Sequence, residues 1–163
     1  MKELKARCRG FAAIEQKLKK MDAHKVSEGK ETVAYFETEG RGGLVIVEGE
    51  EGGTIGLAAY NEETGCFDIV STPVGDVNGA RRIFNKLFSS IAKLKLEKKV
   101  YSVEEFEVWL VHIDLLGNFV LIRSETANEE KMHELLEKLG LDTDTIVQKD
   151  FGQLITHSKE KIG

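Results

Sequence analysis

The chain has 163 residues, of which 41% are hydrophobic and 31% are charged, and its formal net charge is −5. This length and composition predict one soluble domain over residues 1–163, large enough to fold without a metal or a disulfide. The acidic excess argues against general nucleic-acid binding, which needs a basic face. No apolar run reaches the roughly 18 residues of a membrane span. Cys8 and Cys66 fit neither a metal-site spacing nor a disulfide framework, so we expect a cytoplasmic protein.

The first half of the chain predicts a strand, a helix and four more strands. Charged and apolar residues alternate over Met1–Cys8, which is typical of a strand with one polar face. Phe11, Ile14, Leu18 and Met21 then recur at helical spacing. Four strand-like runs follow, bounded by glycine-rich turns: Glu31–Phe36, Leu44–Glu48, Thr54–Tyr60 and Cys66–Thr72.

The second half predicts a helix, three strands and a further helix. Asp76 is placed to cap a helix with an apolar stripe, and Asn128 is placed to cap another that Gly140 ends. Between them lie the strand-like runs Lys93–Val103, Phe106–Ile113 and Phe119–Glu125. Thr143–His157 is expected to form a short final helix and tail.

This order of elements favours an antiparallel sheet or barrel over a doubly wound parallel sheet. Leu44–Val47 and much of Val108–Ile113 are apolar on both faces. An antiparallel sheet with one wet face would instead alternate, so both faces of these strands must be covered. The predicted fold class is therefore α+β, with an antiparallel β-barrel or half-barrel of about eight strands and helices packed outside.

Several short motifs occur in the order found in a known family. They are Glu3-Leu4-Lys5-Ala6-Arg7, the Leu44–Gly49 strand, a hairpin ending Leu116-Gly117-Asn118-Phe119, and the tail Asp150–Ile155. Together they resemble the CYTH proteins, which include class IV adenylyl cyclases and thiamine triphosphatases. The resemblance spans nearly the whole chain and implies the triphosphate tunnel fold. It also implies an interior where Lys and Arg neutralise a triphosphate and carboxylates hold Mg²⁺ or Mn²⁺.

Most positions that carry this chemistry in the family are replaced in this chain. Apolar or aromatic residues stand at several charged positions, a methionine stands at the first glutamate of the signature, and an arginine stands at a carboxylate position: Val45, Val47, Tyr60, Val111, Leu121, Met1 and Arg123. The strand residues among these follow an alternating pattern, so we expect them on one face. The replacements therefore predict a tunnel with a largely apolar lining.

The resemblance leaves a reduced set of candidate site residues. We expect an anion-binding group of Lys5, Arg7, Lys98 and Arg123, with Asp114 at an acidic turn position. Glu3 is expected to be a weak metal ligand, because its partner carboxylates are missing. The predicted tunnel lining consists of Val45, Val47, Tyr60, Trp109, Val111 and Leu121. No catalytic residue can be named.

The leading hypothesis is a degenerate family member, or pseudoenzyme, that binds a small phosphate-bearing or amphipathic ligand in the barrel. No cofactor is expected in that case. An active metal-dependent triphosphatase or adenylyl cyclase is the first alternative, and it would require Mg²⁺ or Mn²⁺. A noncatalytic interaction or scaffold protein with a filled barrel is the second. The expected partner is a small molecule rather than nucleic acid or a membrane, and the protein is expected to be a monomer or a dimer.

Overall fold

Eight strands close into an antiparallel barrel in this computed structural model, which describes residues 1–162, with the side chains of 1–158. The strand order around the barrel is β1-β5-β4-β3-β2-β6-β7-β8. The strands are β1 (Lys2–Cys8), β2 (His24–Phe36), β3 (Gly43–Gly49), β4 (Gly52–Asn61), β5 (Cys66–Val74), β6 (Ser90–Val103), β7 (Phe106–Ile113) and β8 (Gly117–Ser124). Because β1 pairs with both β5 and β8, the barrel is closed. The predicted α+β barrel is confirmed, and its half-barrel form is excluded.

The α-helices within residues 1–162 are α1 (Ala12–Lys20), α2 (Val77–Leu87), α3 (Glu129–Lys138) and α4 (Phe151–Ile162). The predicted caps are confirmed: Asp76 accepts a hydrogen bond from the Gly79 N–H at 2.8 Å, and Asn128 accepts one from the Lys131 N–H at 2.9 Å. Within residues 1–162, no helix combines the length and the apolar character that crossing a bilayer requires.

Two predicted boundaries were wrong. The second strand begins at His24 rather than Glu31, because its polar first half pairs with the second half of β6. Polar residues give no apolar alternation, so this extension was missed. The predicted final helix over Thr143–His157 is divided into a 3-10 turn at Thr143–Thr145 and α4. In the segment between them, the Val147 N–H donates to the Lys5 carbonyl, and a peptide group that bonds to β1 cannot continue a helix.

The main hydrophobic core lies outside the barrel. Leu4 and Ala6 of β1 and Val120 and Ile122 of β8 are fully buried, and they belong to a cluster with residues of α1 and α3. The alternate residues of the same strands point into the barrel. Coverage on both sides explains why β7 is apolar on both faces: Val108 and Leu110 belong to the outer cluster, and Trp109 and Val111 to the interior one.

Candidate functional site

The barrel encloses a cavity of about 300 Å³. One part of its wall is apolar and comes from five strands, with the side chains of Val33, Val45, Val47, Ile69, Val111 and Leu121. The rest carries charge: three carboxylates and three cations also line it, Glu3, Glu31, Asp150, Lys5, Lys98 and Arg123. The cavity therefore offers an apolar surface and ionic groups to one small ligand.

We call the part of the cavity lined by Glu31, Lys98, Trp109 and Arg123 the open end, because its ionic side chains reach solvent. The Lys98 and Arg123 side chains are 18% and 20% exposed. Lys98 forms an ion pair with Glu31. Its Nζ lies 4.2 Å from the centroid of the Trp109 ring, and the Arg123 Cζ lies 3.8 Å from it. Two cations thus meet one aromatic ring at the entrance, where cation–π attraction helps to hold them.

Arg123 is satisfied by Glu3 across the β1–β8 pair. Its Nε and one terminal nitrogen both lie 2.7 Å from the Glu3 Oε2. The Glu3 side chain is only 5% exposed, and the register places these two residues directly opposite each other. Arg123 therefore neutralises a buried carboxylate in the resting barrel.

We call the part lined by Lys5, Tyr35, Asp150 and Phe151 the closed end. The Lys5 ammonium is buried, and its desolvation lowers the pKa of Lys5. Its Nζ lies 4.1 Å from the Phe151 ring centroid and 3.3 Å from the Lys149 carbonyl oxygen. Its separation from the Glu3 Oε1 is 3.9 Å. Lys5 is held by aromatic faces and distant acceptors rather than by a close ion pair.

Asp150 joins the start of α4 to this closed end. Its carboxylate accepts a hydrogen bond of 2.7 Å from the Gln153 N–H, and its burial raises the pKa of the carboxyl. Two glycines allow the close packing: a Cβ at Gly43 would lie 2.5 Å from the Asp150 Oδ2, and a Cβ at Gly152 would lie 2.7 Å from the Tyr35 ring. Burial also raises the pKa of the Tyr35 hydroxyl.

The barrel brings most of the predicted site residues together. Nine of them line the cavity: Glu3, Lys5, Lys98 and Arg123 among the charged residues, and Val45, Val47, Trp109, Val111 and Leu121 among the others. Each of them lies at a strand position whose side chain points into the barrel, as the two-residue repeat of a strand predicts.

Three predicted residues lie apart from the cavity. Arg7 is exposed, stacks 4.9 Å from the Phe119 ring centroid and donates to the Leu116 carbonyl. Tyr60 packs edge-on against Phe67 near the end of β4 and does not line the cavity. Asp114 is exposed in a turn, 3.3 Å from His112. Arg7 on β1 and Tyr60 on β4 lie at positions that alternate in step with the inward-facing residues of their strands. Both lie too close to a strand end to reach the cavity.

Most of the cavity surface is apolar, but two carboxylates that were not predicted also line it, Glu31 and Asp150. Glu31 could have been found, since it precedes Val33 and Tyr35 at alternate positions of one strand. Asp150 lies outside the strands, and no periodicity in the sequence predicts its entry into the barrel.

The residues of the interior do not fit an Mg²⁺ or Mn²⁺ site. Among the described residues, no three His, Cys, Asp or Glu side chains come together in a group that could hold a metal ion. Glu3 and Glu31 are each engaged by a cation, Arg123 and Lys98. A divalent ion would have to displace these partners before either carboxylate could bind it.

No protein-family model matches the chain, and no curated protein matches it. Solved structures do. PH1012 of Pyrococcus horikoshii is 21% identical, with a TM-score of 0.83 over 94% of this chain and 99% of that protein. A candidate adenylate cyclase of Vibrio parahaemolyticus is 18% identical, with a TM-score of 0.76 over 94% and 96%.

A third match is to a plant protein. HpAC1 of Hippeastrum, described as an adenylyl cyclase candidate with a dominant triphosphatase activity, is 15% identical, with a TM-score of 0.63 over 97% of this chain and 95% of that protein. The chain has the fold of these proteins. The barrel that the CYTH resemblance implied is thereby confirmed, while at these identities the likeness extends to the fold alone.

Proposed function

We propose that this protein is a CYTH-like barrel that binds a small phosphate-bearing or amphipathic ligand and lacks efficient catalysis. The observation that carries the proposal is the cavity of about 300 Å³, in which Lys98 and Arg123 stand at the open end beside an apolar wall. Cations at an entrance attract an anionic group, and the apolar wall gains from covering hydrocarbon.

The state of the carboxylates argues against the active-enzyme alternative. Metal-dependent phosphoryl transfer needs ionised oxygens that are free to hold the ion. Here Arg123 lies against Glu3, and Lys98 pairs with Glu31. We therefore propose that ligand binding does not depend on a divalent metal.

The scaffold alternative requires a barrel filled by its own side chains. The interior cluster instead leaves room for a guest, and Val45 and Val47 on its wall are only partly buried. This space favours a binding protein over a barrel that serves only as a rigid support.

A thermal-shift screen tests the proposal. Organic monophosphates, nucleoside triphosphates and thiamine phosphates are added with EDTA or with Mn²⁺. We expect at least one of these compounds to raise the melting temperature in EDTA, and we expect the shift to shrink in Lys98→Met. Lys93→Met is the matched control, because Lys93 lies on the same strand and is exposed.

Two outcomes would contradict the proposal. Stabilisation that requires Mn²⁺, together with release of phosphate from a triphosphate, would show the active enzyme. No stabilisation by any compound, with or without the metal, would favour the scaffold alternative.

A further inference from the structure

We infer that the cavity selects an amphiphile with a single phosphate-type head group and an apolar chain, and that it discriminates against polyphosphates. This inference rests on the proposed function and narrows its ligand. It is carried by the balance of charges in the cavity wall, by the pairing of those charges and by the position of the apolar surface.

The positively and negatively charged side chains of the cavity wall are equal in number. Three cations, Lys5, Lys98 and Arg123, face three carboxylates, Glu3, Glu31 and Asp150. The interior thus has no excess of positive charge to offer a ligand when all six groups are ionised. A tripolyphosphate brings several negative charges, and every phosphate beyond the first would add negative charge that the balanced wall does not neutralise.

The pairing shows which cation can be released. Glu3 is 5% exposed, so removing Arg123 from it would leave a buried carboxylate with only the distant Lys5. Glu31 is 14% exposed and lines the open end, where water can take over its hydrogen bonds. Lys98 is therefore the cation that can exchange its carboxylate for a phosphate at the least cost. One releasable cation matches one head group.

The remaining wall is suited to a hydrocarbon chain. Val45, Val47, Val111 and Leu121 line the cavity together with Ile69 of β5. A volume of about 300 Å³ corresponds to roughly ten water molecules at about 30 Å³ each. This space suits a phosphate with a short alkyl chain, and each buried methylene should tighten binding about fourfold.

Isothermal titration calorimetry in EDTA at constant ionic strength tests the inference with two ligand series. The first is orthophosphate, pyrophosphate and tripolyphosphate. The second is methyl, butyl and hexyl phosphate. We expect no gain in affinity along the first series and a gain of about fourfold per methylene along the second. Tripolyphosphate binding tenfold more tightly than hexyl phosphate, in EDTA or in a parallel titration with Mn²⁺ and no EDTA, would overturn the inference.

Glu31→Gln tests the charge balance directly. It removes one interior carboxylate and frees Lys98, so affinity for polyphosphates should rise about tenfold, a change that corresponds to about 1.4 kcal/mol. Glu97→Gln is the control, because Glu97 is an exposed residue on β6 and pairs with Lys30 outside the cavity. An equal effect of the two variants would contradict the account. If no compound of either series binds the wild type, the proposed function itself fails, which is distinguishable from binding with the wrong selectivity.

Discussion

The two faces of the barrel wall differ in what they contribute, although they belong to the same strands. On β8, Val120 and Ile122 are fully buried against the helices. Between and beyond them, Leu121 and Arg123 line the cavity. On β1, Leu4 alternates in the same way with the cavity residues. One strand thus contributes side chains both to the hydrophobic core outside the barrel and to the lining of the cavity inside it.

The difference shows how this fold can change its interior without losing its structure. The outer faces of β1, β7 and β8 pack against α1 and α3, so these helices stabilise the barrel independently of what lines the cavity. Interior positions such as Val45 and Val47 can change their chemistry because Ile46, on the other face of β3, stays buried. The interior can therefore vary in its chemistry while the outer core maintains the fold.

The largest effect should come from a substitution in the outer core. Ile122→Ala removes a fully buried side chain and should lower the free energy of unfolding by about 2–5 kcal/mol. Val47→Ala lies beside an existing cavity and should cost less than about 1.5 kcal/mol. Urea denaturation of both variants measures the contrast. Equal losses would contradict the division of roles between the two faces.

A smaller effect is expected from the ion pair at the open end. Arg123→Met leaves the buried Glu3 carboxylate with the Lys5 ammonium at 3.9 Å and should cost about 1–3 kcal/mol. Adding Glu3→Gln should recover most of this loss, since the unpaired charge is then removed. A double-mutant cycle by chemical denaturation measures the coupling. If the losses of the two single variants simply add in the double variant, the Arg123–Glu3 ion pair does not offset the cost of burying the Glu3 carboxylate.

The dependence of stability on pH should reflect the buried Asp150 carboxyl at the closed end. Because burial raises the folded-state pKa of Asp150 above its ordinary value of 3.8, the native state holds this proton more tightly than the unfolded chain. The contribution of Asp150 to stability is therefore complete below pH 3.8 and is lost as pH rises through the folded pKa.

Asp150→Asn keeps an acceptor for the Gln153 N–H and removes the titration, so it should flatten the stability profile above pH 3.8. Denaturation midpoints across that range measure the slope. The exposed Asp68→Asn variant is the control and should retain the wild-type slope. An unchanged slope in Asp150→Asn would show that this carboxyl does not titrate differently in the fold.

Alternation along the strands allowed much of the barrel and its lining to be predicted. Val45, Val47, Val111 and Leu121 share a face because strand side chains repeat every two residues, and that rule is local. Whether Arg7 and Tyr60 line the cavity depends on where each strand ends relative to it. The alternation along a strand says which face a side chain is on, but not how far it lies from the cavity. The position of Asp150 depends on how the segment before α4 folds back against β1, which is a long-range contact.

The interior of the barrel is the proposed ligand site, and Trp109 provides the most direct test of that placement. It is the only tryptophan of the chain and lines the cavity beside Lys98 and Arg123. Titration with hexyl phosphate should change the tryptophan fluorescence of the wild type and of Val70→Phe, which alters an exposed residue on the outer face of β5. Val45→Phe, which fills the cavity, should abolish the change while the protein remains folded. A wild-type response that survives in folded Val45→Phe would place the ligand outside the barrel and contradict the account.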